Sequence, residues 1–416
     1  MQNEDRVIFT EEMRQTHTIL VPMMLPIHFR LIKKLLTLAG YKVDVLISTS
    51  PDIINTGLKY VHNDACYPAQ LTIGQLIDAA KNGTYDPHKI ALLLMQTGGG
   101  CRASNYVSLL RKALKRAHME YIPVLSFNMV GLEDNPGFKI GPKLIGKLIY
   151  AVLYGDLIMN LRNQTEPYEI TPGESERLVN DICLDLERQF DENKGCSKGS
   201  LLSNTKKILY LFSKVKVGEK YKTKVGIVGE IYVKFSPLGN NNLEEFLAEE
   251  DCEVVLPGLM DFVLYTVDAG IEDYRLYGTG RKAAFIAKFL FNKILHRQSF
   301  IIDQYDNYPC FHPPTKFLKT KEMSQKVINI GTKMGEGWLL SAEMVELIES
   351  GVNNIICTQP FGCLPNHIVG RGMVRKIKGI YPDANIVAID FDASATRVNQ
   401  ENRIKLMLAS SKDDLF

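Results

Sequence analysis

Eight cysteines occur in this chain, yet no two of them are spaced two residues apart. That absence excludes the paired-cysteine knuckles from which structural zinc sites are built. No stretch of about 20 residues is free of charge. The nearest, residues 144–161, is interrupted by Lys147 and Asp156, so a membrane-spanning helix is not expected. Asn3, Glu4 and Asp5 precede only Val7, Ile8 and Phe9, which is not the charged-then-apolar pattern of a secretory signal. A cytoplasmic location is the expectation, and there cysteines serve more often as free thiols, metal ligands or redox groups than as structural disulfides. Lysine and arginine form no block, and the formal net charge is only +2, so electrostatics do not point to nucleic acid. No phosphate-binding G-x-x-x-x-G-K-[ST] sequence is present; Gly278-Thr279-Gly280-Arg281-Lys282 is a faint echo of it and fits a turn better. Internal repeats of fixed short period are absent.

What the chain does have is an alternation of strand and helix patterns in its first and last thirds. Its 416 residues, 45% hydrophobic and 23% charged, suffice for two or three domains with cores of their own. Residues 1–16 are polar and are expected to form a mobile or partner-packed lead-in. Residues 18–23 pattern as a strand. Pro26 opens a helix with Ile27, Leu31, Leu35 and Leu38 at helical spacing, and residues 41–47 form the next strand. A helical crossover between neighbouring strands implies parallel pairing. Helices are expected over 52–61, 67–83 and 104–115, and strands over 90–95 and 122–127. Residues 142–212 carry long helical patterns (144–161, 174–191, 201–215) with few strand signals. A second alternating unit starts at Lys224, with strands at 225–228, 252–256, 354–357 and 386–390. Helices are expected at 243–248, 281–295, 321–328, 338–349 and 369–380. The expected fold is α/β, with two parallel-sheet lobes at residues 1–140 and 223–416 and a mainly helical region, 141–222, between them.

Three cysteines share one local design. Residues 90–95 empty into Gly98-Gly99-Gly100-Cys101, just before a helix. Three glycines cost backbone entropy on folding and are kept where close approach or a positive φ is required. Cys66 precedes Pro68 near the start of another helix. Cys363, with Gly362 before it and Pro365 after it, follows the strand at 354–357. A cysteine at a helix start meets backbone N–H dipoles that favour the thiolate. Ligands of open α/β sheets gather at the carboxyl ends of strands, so two facing lobes can bring Cys66, Cys101 and Cys363 together. Thiolates from well-separated loops suit a soft metal or an iron–sulfur cluster, and three of them on four irons leave one iron free for a substrate oxygen. Taken singly, each stretch also fits a tight turn around a small packed cysteine. Gly98, Gly99, Gly100 and Gly362 are the residues expected to make room for the group. Glu230 and Glu336, on loops between a strand and a helix, and His62 and His367, near two of the cysteines, are candidates for acid/base work. Solvated or capping roles weigh equally for them. Gly226-Ile227-Val228-Gly229-Glu230 resembles half of a dinucleotide fingerprint, but tight strand–helix packing accounts for it better. Cys183 and Cys252 fall on core patterns; Cys196, Cys310 and Cys357 are not assigned.

Four stretches carry a resemblance to a known family: residues 59–68 (KYVHNDACYP), 96–106 (QTGGGCRASNY), 225–242 and 358–367 (TQPFGCLPNH). The chain resembles the 2-hydroxyacyl-CoA dehydratase superfamily, in particular the dehydratase-like portion of the large CoA-substrate-enzyme activase and 2-hydroxyglutaryl-CoA dehydratase-related proteins. The likeness runs from about residue 18 to residue 408, specific in the cysteine stretches and loose in the helical middle and at 265–320. It implies flavodoxin-like lobes and a four-iron, four-sulfur cluster on Cys66, Cys101 and Cys363. It also implies a partner ATPase, the activase, that delivers a low-potential electron. In dehydratases that electron forms a ketyl radical on a 2-hydroxyacyl-CoA, which expels its hydroxyl group; relatives carry a double-cubane cluster and reduce small molecules. No activase ATP-binding signature lies in the lead-in, so the resemblance implies a separate activase. It further implies an acyl-CoA substrate and a second dehydratase-type subunit or a homodimer. A non-catalytic electron-relay or scaffold subunit of such a complex is the alternative reading.

Overall fold

The computed structural model describes residues 6–97, 100–127, 135–219 and 221–412. Strands β1 (Thr18–Pro22), β2 (Lys42–Leu46), β3 (Ile90–Met95) and β4 (Val124–Phe127) form one sheet, in the order β2-β1-β3-β4, with every pairing parallel. Strands β5 (Thr223–Gly229), β6 (Cys252–Val255), β7 (Asn354–Pro360) and β8 (Asn385–Phe391) form a second all-parallel sheet in the corresponding order β6-β5-β7-β8. This is the doubly wound arrangement the alternating pattern foretold, with the first four strands of a flavodoxin order in each sheet. Parallel strands are covered by helices on both faces and are therefore apolar throughout. β3, Ile-Ala-Leu-Leu-Leu-Met, is buried at every position except its last, and β7 at every position except its first.

The helices covering the first sheet are α1 (Pro26–Leu38), α2 (Asp52–Tyr60), α3 (Tyr67–Lys81) and α4 (Tyr106–Arg116). Pro26 and Pro68 stand in the first turns of α1 and α3, where a missing N–H leaves no bond unmade. α2 and α3 cross at Gly57 and Gly74, whose missing side chains let backbone meet backbone; a Cβ on either would strike the main chain of the other helix. α5 (Pro142–Thr165), α6 (Glu174–Asp191) and α7 (Lys198–Phe212) fill the stretch between the sheets. α5 belongs to the segment Pro142–Tyr168, the one helical segment among the described residues long and apolar enough to cross a membrane, and 56% of its most apolar window is buried inside the protein. Its Asp156 explains that placement. The carboxylate accepts the N–H groups of Leu259 and Met260, each at 2.8 Å, and bonds His28 Nε2 of α1 at 2.8 Å.

α8 (Leu259–Tyr277), α9 (Arg281–Ile302), α10 (Trp338–Glu349), α11 (Val374–Ile380) and α12 (Arg397–Lys412) complete the second half, with shorter helices at Ile231–Phe235, Pro237–Asn240, Leu243–Glu249 and Phe317–Ser324, the last starting and ending four residues before the helix expected at 321–328. α8 has no counterpart among the expected helices, because its apolar stripe is interrupted by Asp261, Asp268 and Glu272, all of them buried. β7 runs three residues past the expected end, to Pro360. α4 is entered through a 3-10 turn, Arg102–Asn105, and α11 through a π-turn, Asn366–Gly370, and a 3-10 turn, Arg371–Met373, so helical winding of other pitch precedes the regular part of both expected helices. The lead-in also differs from expectation. Phe9 is fully buried, its N–H donates to Asn135 Oδ1 at 3.2 Å, and a short helix, Glu11–Thr16, follows it. The Gly278–Gly280 stretch is a turn between α8 and α9, with both glycines at positive φ.

Candidate functional site

β1 and β3 in the first sheet, and β5 and β7 in the second, are the neighbouring strands at which each sheet's order reverses; their carboxyl ends are where loops part and leave a crevice. Cys101 lies six residues beyond the end of β3. Glu230 follows β5 directly, and Cys363 lies three residues beyond β7. Cys66 enters from the connection between β2 and β3 as the residue capping α3. The two crevices face one another, and several contacts fasten them. The Phe361 carbonyl accepts the Tyr67 N–H at 3.0 Å. Gly362, at a φ of +70°, lies against the Cys66 backbone. A Cβ on Gly100 would overlap the Met334 side chain, and one on Gly335 would stand 4.0 Å from the Cys101 sulfur. Of the glycines expected to make room, Gly100 and Gly362 therefore stand at close approaches between the halves; Gly98 and Gly99 lie outside the described residues.

Glu230 and Glu336 meet at the same place. Glu336 precedes α10, and its Oε1 accepts the Ile231 N–H at 3.0 Å; Glu230 Oε2 accepts the Val233 N–H at 2.9 Å. Both are buried, so burial and then, for Glu230, the neighbouring Glu336 charge raise these carboxyls above the usual carboxylate range. Two buried carboxyls acting on one another favour a state in which the pair keeps a proton at neutral pH.

Their charges also act on the thiols. Burial pushes the Cys101 thiol up to about 12, with Glu336, Glu230 and Cys66 adding to the effect. Burial raises Cys363 too, assisted by Glu336, Glu230 and Cys101, and raises Cys66, with a contribution from Glu230. The N–H groups of Ala69, Ala103 and Asn366 pull the three values back, which is the helix-start effect expected from sequence. It is real but outweighed: in the protein alone, burial keeps these thiols protonated. The Tyr106 hydroxyl lies 3.0 Å from Cys66 Sγ.

His62 and His367 stand outside this gathering. The His62 ring is exposed and accepts the Asp64 N–H at 3.2 Å. His367 is exposed as well, on the π-turn, and only its backbone N–H reaches the site, donating to the Cys363 carbonyl at 3.1 Å. Cys183 and Cys252 are buried among core side chains. Cys357 is buried within β7 and its thiol points to Asn366 Oδ1 at 3.5 Å. Gly226 abuts Leu347 of α10, the close strand–helix packing that accounts for its motif without a nucleotide. Met334 and Tyr106 also belong to the site; neither stands out as a site residue in the sequence, although Tyr106 closes the 96–106 stretch, because tertiary packing gives them that role.

Among the described residues, no three His, Cys, Asp or Glu side chains are grouped so as to hold one metal ion. Three sulfurs from three loops stand on both sides of the inter-lobe crevice, in a buried setting with two carboxyls beside them that disfavours free thiolates. Metal binding displaces such thiol protons and supplies the missing positive charge. No family model matches the chain, and no curated protein matches it either.

Proposed function

We propose that this chain is a cytoplasmic iron–sulfur protein in which Cys66, Cys101 and Cys363 hold a four-iron, four-sulfur cluster. In this reading it is a 2-hydroxyacyl-CoA dehydratase-type subunit that receives a low-potential electron from a separate ATP-dependent activase. The observation that carries the proposal is the convergence of those three cysteines, from loops of two different sheets, upon the buried Glu230–Glu336 pair. Such a cluster supplies one-electron chemistry and an iron without a protein ligand. The chain's own residues supply the rest. Glu230 and Glu336 hold a proton beside the thiols, where a leaving hydroxyl group or a reduced substrate needs one. Met334, exposed on one side and packed on Gly100 on the other, forms an apolar lip to the crevice. The Tyr106 hydroxyl tunes the charge on Cys66 through its hydrogen bond.

Iron and acid-labile sulfide measured after anaerobic purification test the proposal. About four irons per chain is the expected result, and about eight indicates the double-cubane type. A protein free of iron under those conditions overturns the cluster and, with it, the function.

A further inference from the structure

A surface helix normally turns one apolar stripe inward and shows water a polar side. α9 does not. Its inner face is apolar in the ordinary way, with Ala284, Phe291 and Ile294 buried. Lys282, Phe285, Ile286, Phe289 and Phe300 recur at i, i+3, i+4, i+7 and i+18, which places them on the opposite face. Phe285 is 78% exposed, Ile286 59% and Phe289 56%. Tyr277, across the Gly278–Gly280 turn at the end of α8, is exposed as well. Single exposed apolar side chains are ordinary, but a run of them along one helix face marks a contact surface.

The charge around this face has one sign. From Tyr274 to Ile302 the chain has six lysines and arginines and no aspartate or glutamate, although the whole protein carries 47 acidic residues and a net charge of only +2. Arg281, Lys282 and Lys288 have no ion-pair partner among the described residues. Toward its far end the outer face runs into a cleft of about 370 Å³ between α9 and the start of α7. Leu201, Phe289 and Phe300 are in its lining, and its surface is almost wholly apolar, so it suits hydrocarbon and not a charged group. Whatever covers α9 must therefore be apolar and anionic at once. A second copy of the helix would match the rings but set like charges against one another. Nucleic acid would match the cations but offer no apolar layer to Ile286 or the cleft. A bilayer with anionic headgroups offers both, phosphates at the level of the cations and hydrocarbon beneath them for the rings.

We infer that the outer face of α9 docks on an anionic phospholipid surface, with Phe285, Ile286 and Phe289 at the boundary between headgroups and acyl chains and Arg281, Lys282 and Lys288 on the phosphates. The helix lies in the plane of the surface and does not cross it, because cations recur along its length. This face shares no residue with the loops of Cys66, Cys101 or Cys363. The inference therefore holds whether or not the cluster does.

Co-sedimentation of the full chain with two kinds of vesicle tests it: phosphatidylcholine alone, and phosphatidylcholine mixed with phosphatidylglycerol. The protein should sediment with the anionic vesicles and not with the neutral ones, and added salt should weaken the binding. Lys282→Gln/Lys288→Gln should weaken it by roughly twentyfold, about fivefold for each cation lost. Phe285→Ser/Phe289→Ser should weaken it too, and both variants should keep the wild-type circular dichroism and melting temperature. Fluorescence of Phe285→Trp reports whether the ring enters the bilayer. The natural Trp338 is buried, so a blue shift on adding anionic vesicles belongs to position 285. Failure to sediment with anionic vesicles would leave some other partner on this face and overturn the inference, as would unchanged binding by the lysine double variant or an unshifted Phe285→Trp emission. Self-association of the wild-type chain that Phe285→Ser/Phe289→Ser abolishes would put a second copy there instead, with the same consequence.

Discussion

Gly362 stands so close to Cys66 that a side-chain carbon at position 362 would lie 3.1 Å from the Cys66 Cα, and its φ of +70° is one that L side chains rarely adopt. The two halves of the site are thus joined at backbone level, through a glycine on one side and a cysteine on the other. Gly362→Ala is expected to destabilise the fold by about 1–3 kcal/mol, from strained backbone and forced separation. Thermal unfolding of the variant measures this, and a melting temperature equal to wild type would show that the lobes part there without cost.

Substitution of the cysteines should divide them into two classes. Cys66→Ser, Cys101→Ser and Cys363→Ser should each reduce iron content and the visible absorbance of the anaerobically purified protein. Cys183→Ser should leave both unchanged, while burying a hydroxyl in the core at a cost of about 1–3 kcal/mol. Equal iron in all four variants would remove the basis for the ligand assignment.

Lys234 and Glu343 form an ion pair at 2.9 Å with both side chains 4% exposed, just behind Glu230 and Glu336. Removing one partner from such a pair costs about 3–5 kcal/mol, because the other is left buried alone. Lys234→Met should therefore be strongly destabilised in denaturant titration, whereas Lys234→Met/Glu343→Leu should recover most of the loss. Burial already raises the Glu343 carboxyl, so in the single variant it should keep its proton and the deficit should grow with pH.

Asp261 offers a test of pH dependence away from the site. Burial pushes its carboxyl up to about 8, against an ordinary value of 3.8, although Gln298 donates to it at 2.6 Å. The folded protein therefore binds a proton that the unfolded chain has released between those two values. That contribution to stability is complete below about pH 4 and falls as pH rises toward 8, by at most about 1.4 kcal/mol per pH unit. Asp261→Asn should show a shallower decline of stability over this range than wild type; parallel curves would mean that the Asp261 carboxyl is ionised in the folded protein.

The alternating pattern foretold both sheets because a parallel strand must be apolar on both faces, and β3, β5 and β7 announce themselves as short apolar runs between glycines. Cys66, Cys101, Cys363, Glu230 and Glu336 could be singled out because the carboxyl ends of such strands and the starts of the following helices can be located from sequence. α8 could not, since its buried Asp268 and Glu272 are matched by Lys321 more than forty residues away, and a one-dimensional pattern counts them as solvent-facing. Met334 and Tyr106 were hidden for a similar reason: Met334 joins the site through its approach to Gly100 across the crevice, and Tyr106 through its contact with Cys66, forty residues away in the same lobe. The burial that raises the thiols' pKa values is likewise a property of the assembled lobes, so a helix start alone pointed toward thiolate.

The order in which the strands pair has a consequence for synthesis. Thr18 pairs with Ile90, and the first sheet is complete once Phe127 has been made; Val225 must wait for Asn354, and β7 in turn for Phe391. Chains fold from the N-terminus as they emerge, so the first lobe can form on the ribosome with Cys66 and Cys101 already in position, while Cys363 arrives only after more than two hundred further residues. During that interval Cys66 already has its first-lobe neighbours, Tyr106 among them, while the cover that Gly362 gives its backbone has yet to be made; the last-made loop is the one that closes the door.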